Sequence, residues 1–495
     1  MILIAGAGPV GLTMALALRR QGVALRIVDP AAARTDKSKA LVVWPRTLEL
    51  LDIQRCADAF IAAGMKGRGA RMRANGKELL HVTFDRARSD YTYALLIPQS
   101  ETERVLEEAL AATGTQVERE TALVSFTHDE GGVDAVLRHA DGTQENVHAD
   151  YLAGCDGAHS VVRHGIGAQF DGTTMPSDWV LADLRIDGAL PQDELTIAWT
   201  EHGVLAVFPI IGGRFRVVAD VGTAAEDAPQ PTLADIQLLL DDRGPPGLVA
   251  HDAYWLSHFR INERKVRDYR SGRVFLAGDA AHIHSPAGGQ GMNTGMQDAI
   301  NLAWKLSLVV AGHAKPALLD SYSPERSAIG EQVLRNAGRL TEIGITRNPL
   351  LQELRNLAAE TLGHLGVVQQ RIVDQLTEVD LDYRDSPFTS TPHGAASHPK
   401  CGDRARDVPL ATCDVAATRL HDALAMGRFV LLSVDAPAVA IPAPLRPLAV
   451  AATTARNVHY DTGHVYLVRP DAYVAASTSG SDAQPLLGRL AMLAM

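Results

Sequence analysis

Three short stretches carry the residue types that bring backbone up to a flat, anionic ligand. The run Arg273–Asn293 reads as an apolar strand, Val274–Ala277, that stops at Gly278-Asp279. A loop follows, kinked at Pro286 and stripped of side chains at Gly288, Gly289 and Gly291, and a helix starts near Asn293. Glycine lets main chain approach closely. A helix start offers unpaired N–H groups and the positive end of a dipole, and an acid at a strand end accepts from a ribose hydroxyl. Tyr151–Gly154 ends the same way, in Cys155-Asp156-Gly157, with Ser160 set to cap the helix that Val161 begins. Arg163 there is placed either to steer a phosphate or to pair with an acid inside the fold. Near the chain start, Gly6-Ala7-Gly8-Pro9-Val10-Gly11 follows the strand Met1–Ala5 and precedes Leu12, Ala15, Leu16 and Leu18 at helical spacing. The strand Leu25–Val28 then closes on Asp29. Strand, G-x-G-x-x-G, helix, strand and an acid about 20 residues on make the full dinucleotide fingerprint. Gly6 serves the tight turn, Gly8 the approach to a pyrophosphate, Gly11 close helix–strand packing, and Asp29 the ribose.

These turns need a scaffold. At 495 residues the chain exceeds one core, and about two to three domains are expected. Pro45 starts a helix with Arg46 in its first turn, where a guanidinium reaches a pyrophosphate or lies on the surface. Gln99 stands before the helix Glu101–Ala111, as a cap or a ligand contact. Lys66–Tyr93 reads as a hairpin outside the main sheet, turning at Gly76. Trp179–Val221 is strongly β, Ala234–Leu240 is a short helix, and Ala253–Ile261 is a further strand. Sheet inserted between Asp156 and Asp279 predicts a second domain, one face of which roofs the ligand site. A helical run from Tyr322 breaks near Asn348-Pro349 and ends about Val379. Asp382–Asp407 has the composition of a linker, and a small α/β unit follows.

Bulk properties narrow the function classes. The formal net charge of -11 argues against nonspecific nucleic-acid binding, which needs a basic face. Cys56, Cys155, Cys401 and Cys413 form neither C-x-x-C nor a metal-ligand spacing. No metal site is therefore expected, and a reduced, cytoplasmic setting fits. No apolar run reaches the roughly 18–20 residues of a membrane span, and the opening strand carries no leader-like basic segment.

Taken together, Gly6-x-Gly8-x-x-Gly11, Cys155-Asp156-Gly157, and Gly278-Asp279 with Pro286 and Gly288-Gly289-Gln290-Gly291 resemble the class A (single-component) FAD-dependent aromatic hydroxylases, the p-hydroxybenzoate hydroxylase-like group. Pro45-Arg46-Thr47, Pro98-Gln99 and Tyr322-x-x-Glu325-Arg326 add to a resemblance that covers about Met1 to Val379. The tail is similar to the thioredoxin-like C-terminal domain of the phenol and polyketide hydroxylase branch. Gly402-Asp403-Arg404-Ala405 and Val465-Tyr466-Leu467-Val468-Arg469-Pro470-Asp471 carry that likeness. It lacks C-x-x-C, so no thiol-redox role is expected. Many relatives have an arginine ahead of the Pro-Arg-Thr segment; this chain has Lys39.

The resemblance implies an α/β fold. A Rossmann-type FAD-binding domain would take residues 1–175 and 265–380, an inserted β-sheet substrate domain 176–264 with part of 66–98, and a thioredoxin-like domain 400–495. It implies an NAD(P)H-dependent flavoprotein monooxygenase, with NADPH or NADH as transient reductant. Dioxygen would hydroxylate a small phenolic or polyketide-like aromatic through a flavin C4a-hydroperoxide. The alternatives are a Baeyer–Villiger or epoxidising enzyme on the same scaffold, or a non-catalytic FAD-binding protein; a homodimer is left open. FAD would be held by Gly6, Gly8, Gly11, Asp29, Arg46, Gln99, Asp156, Gly157, Asp279, Pro286, Gly288, Gly289, Gly291, Met292 and Asn293. His282 and Pro286 are the catalytic candidates, with His202, His284 and Tyr91 as other groups, in segments that could face the ring, to take a phenol proton. His202, Phe208 and Trp199 are candidates for substrate contact, with Tyr254 and Trp255 as further aromatics.

Overall fold

Parallel strands ending level at their carboxyl ends organise the molecule. Leu25–Val28, Ile2–Ala5, Tyr151–Gly154 and Val274–Leu276 lie side by side in that order, and Arg270–Ser271 adds an antiparallel edge. Ala5, Val28, Gly154 and Leu276 fall in one register row. The inner strands are unbroken apolar runs, as a sheet covered on both faces demands. The helix Pro9–Arg20 starts on proline, ends on Arg19-Arg20 and packs along Gly291–Val310. The structure, a computed structural model, describes all residues except 75, 224–228, 347, 364, 390–396 and 481.

A second sheet has eight strands. Its order is His282–Ile283, Val249–Lys265, Asp171–Asp187, Arg214–Gly222, Gly203–Ile210, Glu194–Thr200, Gly69–Ala74 and Lys77–Thr83. The Lys66–Tyr93 segment thus enters this sheet, with Gly69–Ala74 running parallel to Glu194–Thr200. Alternation sorts the faces. Val180, Leu184, Leu205, Val207, Phe215 and Val217 pack with Ile236 and Leu240 of the helix Leu233–Arg243. Leu195 and Ile210, with half-buried Phe208, turn the other way, onto Val42 and Trp44.

The helical run after Asn293 resolves into Gly291–Val310, Tyr322–Ile345, Pro349–Leu362 and Gly366–Leu376. Beyond it a five-stranded mixed sheet forms the thioredoxin-like C-terminal unit. Its strand order is Thr412–Cys413, Ala449–Thr454, Phe429–Val434, His464–Val468, Val474–Ser479. Val430 and Leu432 pack with Leu50, Ile53 and Ile300, while Phe429 and Leu431 pack with Trp304 and Leu308. The stretch 382–407 reads as a linker by composition; residues 390–396 lie outside the described residues, and of the rest Tyr383, Phe388 and Arg404 are buried in the joint between this unit and the neighbouring part. Among the described residues, no helix is long and apolar enough to cross a membrane.

Candidate active site

Because the parallel strands end level, the turns that follow them stand in a row, separated by strand spacings of about 4.8 Å. Gly6 has φ +97, and a Cβ there would sit 2.3 Å from the carbonyl oxygen of Cys155, so the first and second turns are in direct contact. Gly278 has φ +61; a Cβ on it would meet Val10 at 2.7 Å, and one on Gly295 would meet Gly278 Cα at 3.0 Å. The third turn therefore rests on the first helix, and the three glycine–acid turns converge. In front of them the space is open: a Cβ added to Gly8 or Gly157 would meet nothing within 4 Å. The carboxyl end of a parallel sheet is where open α/β folds take their ligands.

Acids line this edge. Asp29 accepts the N–H groups of Ala7 at 2.7 Å and Ala31 at 2.9 Å, which ties the glycine turn to the second strand. Asp156 Oδ2 accepts from Val162 N–H at 3.1 Å, while its buried Oδ1 has no protein partner. Burial raises the Asp156 carboxyl pKa, with Ser160 and the Val162 amide opposing. Asp279 is exposed, yet burial still raises its pKa against the pull of His282 and Lys39.

The glycine loop is held from below. Trp44 Nε1 donates to Gly288 O at 2.9 Å, and Asn293 Nδ2 donates to Val42 O at 2.9 Å and Gly289 O at 3.0 Å. The helix Gly291–Val310 starts with no side-chain cap, which leaves first-turn amides for an outside acceptor. Beside it, burial lowers the His284 pKa to about 4, so the ring is neutral. Its Nδ1–H is taken by Ser285 O at 2.8 Å and its Nε2 has no partner, 3.4 Å from where a Gly291 Cβ would stand.

Residues 1–337 match the FAD binding domain family, and residues 398–493 match the aromatic-ring hydroxylase C-terminal family. The chain is 34% identical to 6-methylpretetramide 4-monooxygenase of Streptomyces rimosus, over 99% of this chain and 93% of that one. It is 33% identical to rifampicin monooxygenase of Streptomyces venezuelae, over 99% and 97%. The solved anhydrotetracycline hydroxylase OxyS of Streptomyces rimosus superposes with a TM-score of 0.78 at 31% identity, over 99% of this chain and 98% of that one. The chain belongs to the class A FAD-dependent aromatic hydroxylases.

The residues at the strand edge of this hydroxylase suit FAD. The unpaired Asp156 Oδ1, the open space at Gly8 and Gly157, and the uncapped helix start offer acceptors for hydroxyls and donors for phosphate or ring oxygens. Gln99, the first residue of Gln99–Ala111, is bound to Ala40 N–H at 3.2 Å and Glu103 at 2.9 Å, and acts as a local tie for the loop below the cleft. Pro286 is exposed on the loop, and Met292 is half-buried in the first turn of Gly291–Val310.

Several expectations are corrected. Arg46 is 0% exposed, and its guanidinium binds Glu49 at 3.0 Å and Asp471 O at 2.7 Å, over the Tyr473 ring. It faces the C-terminal unit, not the cofactor edge. His282 is 1% exposed, its Nε2 bound to Asp298 at 2.8 Å and its ring stacked on Tyr269. It sits behind the Gly278 turn, out of reach of a substrate. The Asn293 side chain is spent on Val42, Gly289 and the Trp44 amide, so only its backbone remains for a ligand. His202 lies on an exposed hairpin turn, bound to Asp242 at 2.8 Å. Its substrate role fails because the side chain leaves the inner face of the sheet. Phe208 is on that inner face, in the cluster with Trp44 and Leu96. Trp199 lies further along it, under Arg355 at 4.6 Å.

One pair went unnoticed in the sequence. Arg216 and Asp183 form a buried bidentate ion pair, 2.7 Å on both arms, and Arg216 Nη1 also reaches Lys39 O at 3.0 Å. It joins the roof to the cofactor-side loop. The available signal was a charge set between buried apolar neighbours, Asp183 between Ala182 and Leu184 and Arg216 between Phe215 and Val217.

Proposed function

We propose that this hydroxylase uses NAD(P)H and dioxygen to place one oxygen atom on a phenolic or polyketide-like ring, the second oxygen leaving as water. FAD, when bound, supplies the transfer of reducing equivalents and the activation of dioxygen. The chain's own residues bind, orient and exclude water. Asp29 and Asp279 would receive cofactor hydroxyls, and the amides at Gly291 and Met292 would meet the oxygen-bearing edge of the ring system. Phe208, half-buried on the inner face of the roof, gives an apolar surface against which a flat substrate would lose its water. His284, neutral and with no protein partner at Nε2, would accept a hydrogen bond at that atom rather than act as a strong base.

The single observation that carries this function is the convergence of the glycine turns at one strand edge, with open space at Gly8 and Gly157 and the exposed Asp279 beside it. The names of the relatives, which act on 6-methylpretetramide, anhydrotetracycline and rifampicin, favour a large fused-ring substrate. Four free thiols and no membrane-length helix among the described residues support a cytoplasmic setting. The same reading divides the chain into a discontinuous FAD-binding domain, an inserted substrate domain and the C-terminal unit. The purified protein should be yellow, and its NAD(P)H oxidation should rise on adding a matching aromatic polyketide, with peroxide measured in parallel. A colourless protein that cannot be loaded with FAD, or one that no member of a broad phenol and polyketide panel stimulates, would contradict the proposal. Product NMR separates ring hydroxylation from lactone formation, since both add one oxygen atom.

A further inference from the structure

Behind the Gly278 turn lies a set of buried charges that the chemistry at the cleft does not use. Asp298, 0% exposed, accepts the Gly278 N–H at 3.0 Å, His282 Nε2 at 2.8 Å and Arg326 Nε at 2.6 Å. Arg326 passes on through Nη1 to the Tyr383 hydroxyl at 2.8 Å. That hydroxyl also accepts from Asn301 Nδ2 at 3.3 Å, and the same amide reaches Glu325 at 2.9 Å and Asp471 at 3.1 Å. Arg469 clasps Glu325 with both arms, at 2.8 and 2.9 Å, and Asp471 at 2.9 and 2.7 Å. An unbroken run of hydrogen bonds therefore connects the C-terminal sheet to the backbone amide one residue before Asp279.

Holding two domains together does not require this arrangement. Well-packed apolar side chains do as well or better, because buried ions are costly to desolvate. What ions with forked geometry add is a fixed direction. A second polar array in the same joint makes the contrast. Arg419 binds Asp52 at 2.7 Å and Asp407 at 2.9 Å, with His421 at 2.8 Å from Asp52. Arg419 is 41% exposed, and its partners lie on the helix Pro45–Ile53 and the C-terminal unit, away from Gly278.

We infer that the C-terminal domain positions the third cofactor turn: Arg469 and Tyr383 fix Arg326 and Asp298, and Asp298 fixes the Gly278 amide and hence the place of Asp279. Arg469 and Tyr383 are positioning residues, since neither reaches the cleft. This role rests on the FAD-binding reading of the strand edge.

The test uses the full chain, stripped of flavin, and compares Arg469→Met, Tyr383→Phe and Arg419→Met. FAD is titrated by fluorescence, and amide hydrogen exchange is followed in the apo-protein on the peptide containing 276–282. Arg469→Met and Tyr383→Phe should raise the FAD Kd roughly tenfold and speed exchange in that peptide. Arg419→Met should lower the melting temperature with both readouts unchanged. Tyr383→Phe removes a single hydroxyl, so it decides the matter if Arg469→Met does not fold. Wild-type Kd and exchange in Tyr383→Phe overturn the inference alone. Equal changes in all three variants also overturn it, since the joint would then act only by general stability. A wild-type protein that does not bind FAD removes the reading beneath it as well.

Discussion

The nucleotide-binding part meets its two neighbours in opposite ways. Against the C-terminal sheet it is sealed: Glu325 is 2% and Arg469 0% exposed, and each has charged partners within hydrogen-bond distance. Burial opposes ionisation of Glu325, yet Arg469 and Lys305 hold its carboxyl well below the usual range. Against the eight-stranded sheet it is open: Asp279 and Pro286 are exposed, and the roof offers Phe208 and one ion pair, Asp183–Arg216. A sealed charged joint resists movement, because a stranded buried ion costs several kcal/mol. An apolar joint with a cleft in it can exchange water for a flat ligand. The rigid side sets position and the open side admits chemistry.

Glu325→Ala breaks the sealed side most directly. Lys305 loses its only carboxylate partner among the described contacts and Arg469 loses one of two. The variant should lose about 3–5 kcal/mol, seen as a lower urea midpoint. Glu378 sharpens the same side through pH. Burial lifts its carboxyl from 4.5 to about 8 beside Gln297, whose Nε2 lies 2.6 Å away. A raised folded-state value means full stability below the unfolded value, lost as pH rises toward 8. Wild type should lose up to a few kcal/mol between about pH 5 and pH 9, and Glu378→Gln should flatten that slope. Identical slopes would show that Glu378 is not buried as described. On the open side, Asp279→Ala should leave the apo-protein melt unchanged and weaken FAD binding about ten- to a hundredfold by calorimetry. Full FAD retention would move the cofactor elsewhere. His202→Ala should change stability by less than about 0.5 kcal/mol and leave substrate-stimulated NAD(P)H oxidation as it was. A tenfold fall in kcat/KM would return that turn to the site.

The glycine–acid turns were legible because their causes are local. A strand that stops at a glycine is written within a few residues at Gly6, and at Asp156-Gly157 and Gly278-Asp279 an acid stands beside the glycine; the acid of the first turn, Asp29, closes the next strand. Arg46 was not legible. A first-turn guanidinium has the same neighbours in sequence whether it turns to a pyrophosphate or to Asp471, which is 425 positions away. His282 was misjudged for the same reason, since Asp298 claims its imidazole only after the helix Gly291–Val310 packs behind the turn. Residues 382–407 have linker composition, but composition does not reveal that Tyr383 and Arg404 enter a buried joint.

Sequence alone determined the strand–turn–helix units, the acids that end them and the family to which their order belongs, because backbone conformation and hydrophobic period act over short spans of chain. Only tertiary structure decided that four strands end level, that one charged run reaches from the C-terminal sheet to Gly278, and that the opposite joint stays open. Those facts depend on which distant side chains can satisfy each other's charges once water is gone, and no local pattern encodes that choice.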